Sequence, residues 1–205
     1  PPRSTLFPYT TLFRSVPLRA EAIRGVALEL ERLANHTGDL GALAGDVAFL
    51  PTASACGALR GDYLNMTALL CGNRLGHSMV KPGGVHFDLD RDRMAELQKR
   101  LRKTFDGTRR TIELLFDTPS AMSRFETTGS LSKTIAKEIG LVGPAARACG
   151  VDLDVRRDHP IGIFQRAQIG VSTGETSDVY ARAMVRWMEI QKSVAFIEET
   201  ISALP

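Results

Sequence analysis

Apolar residues near the start of the chain recur in alternating steps of three and four. They are Ile23, Val26, Leu30, Leu33, Leu40, Ala44 and Val47, with Thr37 in the one polar slot. This spacing predicts a helix over residues 18–49 with one stripe against a core. Pro17 suits its entry, and Pro51 is expected to stop it. A second helix is predicted over about 57–70, ended by Gly72-Asn73. Lys81-Pro82-Gly83-Gly84 reads as a turn, and Val85-His86-Phe87 as a short strand or extended loop. Asp90 is placed to cap a third helix. Its inward row is Met94, Leu97, Leu101, Phe105, Thr108, Ile112 and Leu115, and Pro119 ends it. A short helix follows near 132–139, stopping at Gly140. Residues 140–174 carry glycines, prolines and charges without a period, and loops of that length are usually functional or disordered. The last helix is the clearest: Tyr180, Ala183, Trp187, Ile190, Val194, Ile197, Ile201 and Leu204 keep the alternation throughout. It should be roughly 40 Å long. Long helices with narrow apolar stripes pack near-antiparallel. The predicted fold is mainly α, a long-helix bundle with one or two small β elements.

Two further faces of the first helix change the picture. Glu29, Arg32, His36, Asp39 and Asp46 form an ionisable row, with Leu43 completing it. Ala34, Gly38, Gly41, Gly45 and Ala48 form a row of small residues. A glycine inside a helix costs about 1 kcal/mol relative to alanine, so three of them point to another backbone lying close on that side. The ionisable row then lies between two covered faces. Burial raises a carboxylate's pKa and a nearby cation lowers it, so a row with both suits proton handling. A solvated face with i,i+4 pairs, such as Arg32 with His36 or Asp39, accounts for the same spacing.

Composition narrows the classes. The 205 residues are 43% hydrophobic, enough for one sizeable core. Net charge is +3, with no basic run interleaved with aromatics, so no nucleic-acid partner is expected. No run approaches twenty apolar residues, so any membrane link is expected to come through partner subunits. Cys56, Cys71 and Cys149 lie far apart and form no CxxC pair, so no metal site is legible in this segment. They read as buried thiols in a reducing compartment. Thr5 to Ser15, TLFPYTTLFRS, reads as a translated sequencing adapter. Residues 1–15 are therefore expected to be a non-native leader, disordered or loosely docked, and the natural sequence to begin near Val16.

From residue 25 the sequence becomes specific. GVALELERLANHTGDLGALAGDVAF (25–49) resembles a helix of the D-type large subunit of NADH:quinone oxidoreductase (complex I) and of hydrogenase large subunits. GNRLGHSMVKPGGVHFDLD (72–90), GLVGPAARACGVDLDVRRDHP (140–160) and GETSDVYARAMVRWMEIQKSVAFIEE (174–199) agree in order and spacing. The resemblance covers essentially all of 16–205 and implies an internal fragment of a single large-subunit domain. Residues 51–76 and 141–160 look closer to formate-hydrogenlyase-type or hydrogenase-4-type nickel–iron enzymes than to the respiratory D-type chain.

The resemblance implies a peripheral subunit on the cytoplasmic side of the cell membrane. It would sit against an iron–sulfur small subunit and other subunits, with the membrane arm reached indirectly. It implies a cavity where electrons from NADH or another donor meet quinone and protons, NADH itself binding elsewhere in the complex. The alternatives are a nickel–iron hydrogenase, whose metal-holding cysteine pairs would lie outside this segment, and a non-catalytic helical scaffold. No cofactor is expected on the fragment alone. By position, His36 matches the family's helix histidine and Asp46 an aspartate near the quinone cavity; Asp39, on the same ionisable row, is grouped with them for the quinone cavity and proton handling. Arg74 and His77 match the cluster-facing segment, with Gly76 where many complex I chains place a histidine. Arg147, Arg156, Arg157, Asp158 and His159 match a charged loop after a Gly-Pro turn, and Ile161 replaces a tyrosine that often follows the His-Pro pair.

Overall fold

The computed structural model describes residues 16–204, so the expectation for residues 1–15 lies outside the described residues. Four long helices carry the core: α1 (Leu18–Asp46), α2 (Leu50–Cys71), α3 (Arg91–Phe116) and α8 (Val179–Ser202). Between α3 and α8 lie α4 (Pro119–Phe125), α5 (Lys133–Glu138), α6 (Gly143–Ala148), α7 (Val155–Asp158) and a 3-10 turn (Gly162–Gln165). Among the described residues the β content is one hairpin, Val80–Lys81 against Gly84–Val85, antiparallel with Val80 opposite Val85.

Pairings run in opposite directions at each seam. On α1 and α2, Gly38 meets Arg60, Gly41 meets Cys56 and Gly45 meets Ala53. On α1 and α8, Ser193 reaches Glu29, Glu189 reaches His36 and Arg186 reaches Asp39. On α3 and α8, Arg102 pairs with Glu198, while Phe105 stacks on Trp187 at 6.0 Å. Between α2 and α3, Thr52 Oγ1 donates to the Thr111 carbonyl, and Tyr63 shares a hydrogen bond with Thr108. Each long helix is thus antiparallel to its two neighbours, an up-down-up-down bundle.

The stripes read from the sequence line the interior. Ile23, Val26, Leu30, Leu33, Leu40 and Ala44 are buried on α1, as are Leu97, Leu101, Ile112 and Leu115 on α3. Asp90 caps α3 by accepting from the Arg93 N–H, and Gly72, in the left-handed region, closes α2. Two prolines depart from expectation. Pro51 lies in the first turn of α2, which starts seven residues earlier than expected, and Pro119 likewise opens α4. A first helical turn has no use for the missing N–H, so proline starts these helices. What ends α1 is a tight turn in which Ala48 takes a positive φ and the Phe49 N–H returns to the Ala44 carbonyl.

The small-residue face performs the close packing expected of it. A Cβ on Gly41 would stand 2.7 Å from the Cβ of Cys56, both on helix backbones with no flexible end to yield. Gly41→Ala is expected to lower stability by about 1–3 kcal/mol by forcing α1 and α2 apart. Gly57, exposed in the interior of α2, meets nothing within 4 Å. Gly57→Ala should therefore raise stability by up to about 1 kcal/mol. Thermal unfolding midpoints moving in opposite directions for the two variants would confirm that the cost is contact rather than propensity.

Candidate functional site

The ionisable row of α1 does not behave as one unit. Its first three members turn into the seam between α1, α8 and the 140–160 segment. Glu29 is fully buried. It accepts from Arg156 at 3.0 and 3.1 Å, from Arg32 at 3.1 Å and from the Ser193 hydroxyl at 2.6 Å. Two turns along, His36 is 5% exposed, and its Nε2 lies 2.7 Å from Oε2 of Glu189. The other oxygen of Glu189 accepts from Nε of Arg147 at 2.6 Å, and Arg32 stands 3.7 Å away. Asp39 is exposed and pairs with Arg186 at 2.8 Å. Asp46 is exposed in the last turn of α1.

The charged loop also divides. Arg147 and Arg156 are buried; Arg157, Asp158 and His159 are exposed. Arg156 forks onto Asp154 with bonds of 3.0 and 2.7 Å while its third nitrogen reaches Glu29. Arg147 also donates to the Leu153 carbonyl at 3.1 Å, tying the chain after α6 back onto its own helix. Arg157 bridges Asp152 and Asp158 at the surface. The alternation follows from α7 being a single turn, on which the neighbours 156 and 157 cannot share a face.

Electrostatics in the seam favour ionised groups. Burial alone would raise the carboxyl pKa of Glu189. Hydrogen bonds from His36 and Arg147, with the charge of Arg147, outweigh it and hold the value at about 2. Asp154 follows the same pattern: desolvation opposes ionisation, but the Arg156 guanidinium takes its carboxyl down to about 2. Arg156 is desolvated too, yet Asp154 and Glu29 keep its pKa above the ordinary value.

Arg74 and His77 sit in the loop between α2 and the hairpin, Arg74 exposed and His77 at the same surface. Asn73 shapes that loop: its side-chain oxygen accepts from the N–H of Leu75 at 2.8 Å and of His77 at 3.4 Å. The guanidinium of Arg24 fastens the hairpin to α1 through the carbonyls of Lys81 and Gly84. Two hollows flank Arg24 and Leu28. One of about 340 Å³ is lined by Arg156, His159, Ile161 and Phe164; the other, of about 350 Å³, by Arg60, Arg74 and Leu75. His86 bonds the Ser78 carbonyl at the surface. The three cysteines are buried. Among the described residues no group of three His, Cys, Asp or Glu is arranged to hold a metal.

Known proteins similar to this chain show its family. The family model described as respiratory-chain NADH dehydrogenase, 49 Kd subunit, matches residues 46–205. The chain belongs to that family. Among the relatives of this 49 Kd-type chain is a carbon monoxide-induced hydrogenase from Rhodospirillum rubrum. It is 33% identical over 191 residues, which cover 93% of this chain and 53% of the relative. The D-type chain of NADH-quinone oxidoreductase from Desulfotalea psychrophila is 31% identical, over 93% of this chain and 51% of its own length. The corresponding D-type chain from Chloroherpeton thalassium is 36% identical, over 93% and 43%. The chain thus spans about half the length of the curated relatives it matches. The mainly α architecture accords with the family, and none of the described helices is long and apolar enough to cross a membrane.

Sequence reasoning missed Glu189, Asp154 and Ser193, which complete the buried network. A signal for Glu189 existed. On α8, Val185, Glu189, Ser193 and Phe196 form a second row at helical spacing beside the recognised stripe. An acid in an otherwise apolar or small row calls for a buried cation.

Proposed function

We propose that the whole protein is a peripheral subunit of a membrane-associated respiratory redox complex. In it, electrons from NADH or another donor, passed by an iron–sulfur cluster in a neighbouring small subunit, reduce quinone with coupled proton handling. The family match over residues 46–205 carries this reading, supported by relatives named as parts of NADH-quinone oxidoreductases. NADH binds elsewhere in the complex, and this segment supplies position and charge while cofactors carry the electrons. His36 is held on a buried carboxylate, and Asp46 is exposed at the end of the same helix, where other parts of the complex can cover it. Arg74 and His77 face the cluster-bearing subunit from the loop after α2. Arg157, Asp158 and His159 meet neighbouring subunits on the cytoplasmic side. Arg147 and Arg156 hold that loop in place from within.

The hydrogenase relative at 33% identity supports a second reading, in which electrons reduce protons at a nickel–iron centre held by cysteine pairs elsewhere in the full protein. The isolated chain is expected to be inactive in either assay. In the full-length protein assembled in its complex, Asp46→Asn is expected to slow quinone reduction at least tenfold, about 1.4 kcal/mol in barrier. Hydrogen evolution without quinone reduction would select the second reading. Unchanged turnover in both Asp46→Asn and His36→Ala would leave a helical scaffold as the better account.

A further inference from the structure

The buried seam has a balance of charge that singles out one member. Its carboxylates are Glu29, Asp154 and Glu189, and its guanidiniums are Arg32, Arg147 and Arg156. Three stand against three, so these six directly paired groups balance one another. Lys192 of α8 stands at the edge, bonded to the Val171 carbonyl. Of these groups, only the imidazole has two nitrogens, either of which can carry or give up a hydrogen.

The ring is also held in one orientation. An ionised carboxylate only accepts, so Nε2, at 2.7 Å from Glu189, carries the hydrogen. Arg147 occupies the other oxygen of Glu189 and prevents the carboxylate from turning away. The remaining ring nitrogen, Nδ1, is buried and has no hydrogen-bond partner among the described residues. A buried, unpartnered imidazole nitrogen is costly unless something uses it.

We propose that Glu189 and Arg147 are positioning residues for His36, committing Nε2–H to the carboxylate and leaving Nδ1 as the position that takes up and releases a proton. This rests on the reading of the α1 row as proton-handling. Uptake adds one proton to Nδ1 and one positive charge to the seam, with Nε2–H and the Glu189 carboxylate unchanged; release reverses both. No change in the Glu189 ion is needed, because two donors already hold it deprotonated.

The chain has four histidines, His36, His77, His86 and His159, few enough for nitrogen-15 NMR to assign each tautomer. The wild-type chain at mildly alkaline pH is expected to show His36 as the Nε2–H tautomer. Glu189→Gln, whose amide donates as well as accepts, should give a mixture. A wild-type Nδ1–H tautomer overturns the proposal even if the variant does not fold, and so does an unchanged ring in a folded Glu189→Gln chain. The second arm uses His36→Gln in the full-length complex. The Gln side-chain nitrogen can take the place of Nε2 and keep the bond to Glu189, but it offers no basic nitrogen to take up a proton. Turnover should fall at least tenfold in a normally assembled complex. Wild-type turnover in His36→Gln with a slow Asp46→Asn sinks the proposal and leaves the proton-handling reading at Asp46 standing. Wild-type turnover in both sinks the reading itself.

Discussion

Arg156→Ala is expected to cost the fold about 3–5 kcal/mol, the range found when one partner of a buried ion pair is removed. The guanidinium serves two carboxylates at once, Glu29 on α1 at 3.0 Å and Asp154 at 2.7 Å. Glu29 is fully buried, so removing Arg156 leaves it only Arg32 and the Ser193 hydroxyl. A loss of this size is a large share of the roughly 5–15 kcal/mol that holds a domain together. Arg156→Lys should recover only part of it, since a single ammonium cannot fork onto both acids. The double change Glu29→Gln with Arg156→Met should lie closer to wild type than Arg156→Ala, because Glu29 no longer leaves an unpaired charge inside. Urea unfolding of these variants measures each value. A loss under about 1 kcal/mol for Arg156→Ala would show that the seam admits water and that the pair is a surface bridge in energetic terms.

The same seam shows why the fold is more legible than the site. Helical stripes such as Ile190, Val194 and Ile197 announce burial by spacing alone, and spacing is a local property of the chain. The glycines at 38, 41 and 45 announce a close neighbour for the same reason, though not that Cys56 and Ala53 are what they meet. Pro51 and Pro119 read as stops because proline cannot continue a helix. The same ring geometry suits a first turn, and only the residues beyond it decide which applies. Partners are harder. Nothing local distinguishes Arg156, which turns inward to Glu29, from Arg157, which stays at the surface with Asp152. The distinction depends on which face of one helical turn meets α1, and 127 residues separate Arg156 from Glu29. His36 stands out by its row, yet its role depends on Glu189, 153 residues away, whose significance emerges only once α8 lies antiparallel to α1.

The buried acids also set how the chain responds to acid. Glu189 and Asp154 titrate at about 2 in the folded chain, below their ordinary values of 4.5 and 3.8. Between those limits the unfolded chain binds more protons than the folded one, so stability rises with pH across the window. The contribution is fully present above about 4.5 and is lost as pH falls toward 2. From Glu189 it should amount to roughly 3 kcal/mol, at about 1.4 kcal/mol per unit of depression. Asp154 adds a smaller share of the same sign, partly counted already because Arg147 lowers both acids. Glu189→Gln removes a titrating group, so its stability should be lower at pH 7 yet vary less between about pH 5 and pH 2. Arg147→Gln should keep the slope's sign but shrink it, because His36 still donates to Glu189 when Arg147 is gone. Urea midpoints recorded at several pH values separate these cases. Parallel curves for wild type and Glu189→Gln below about pH 5 would mean that Glu189 is not held ionised by His36 and Arg147, and the seam would lose its charge balance.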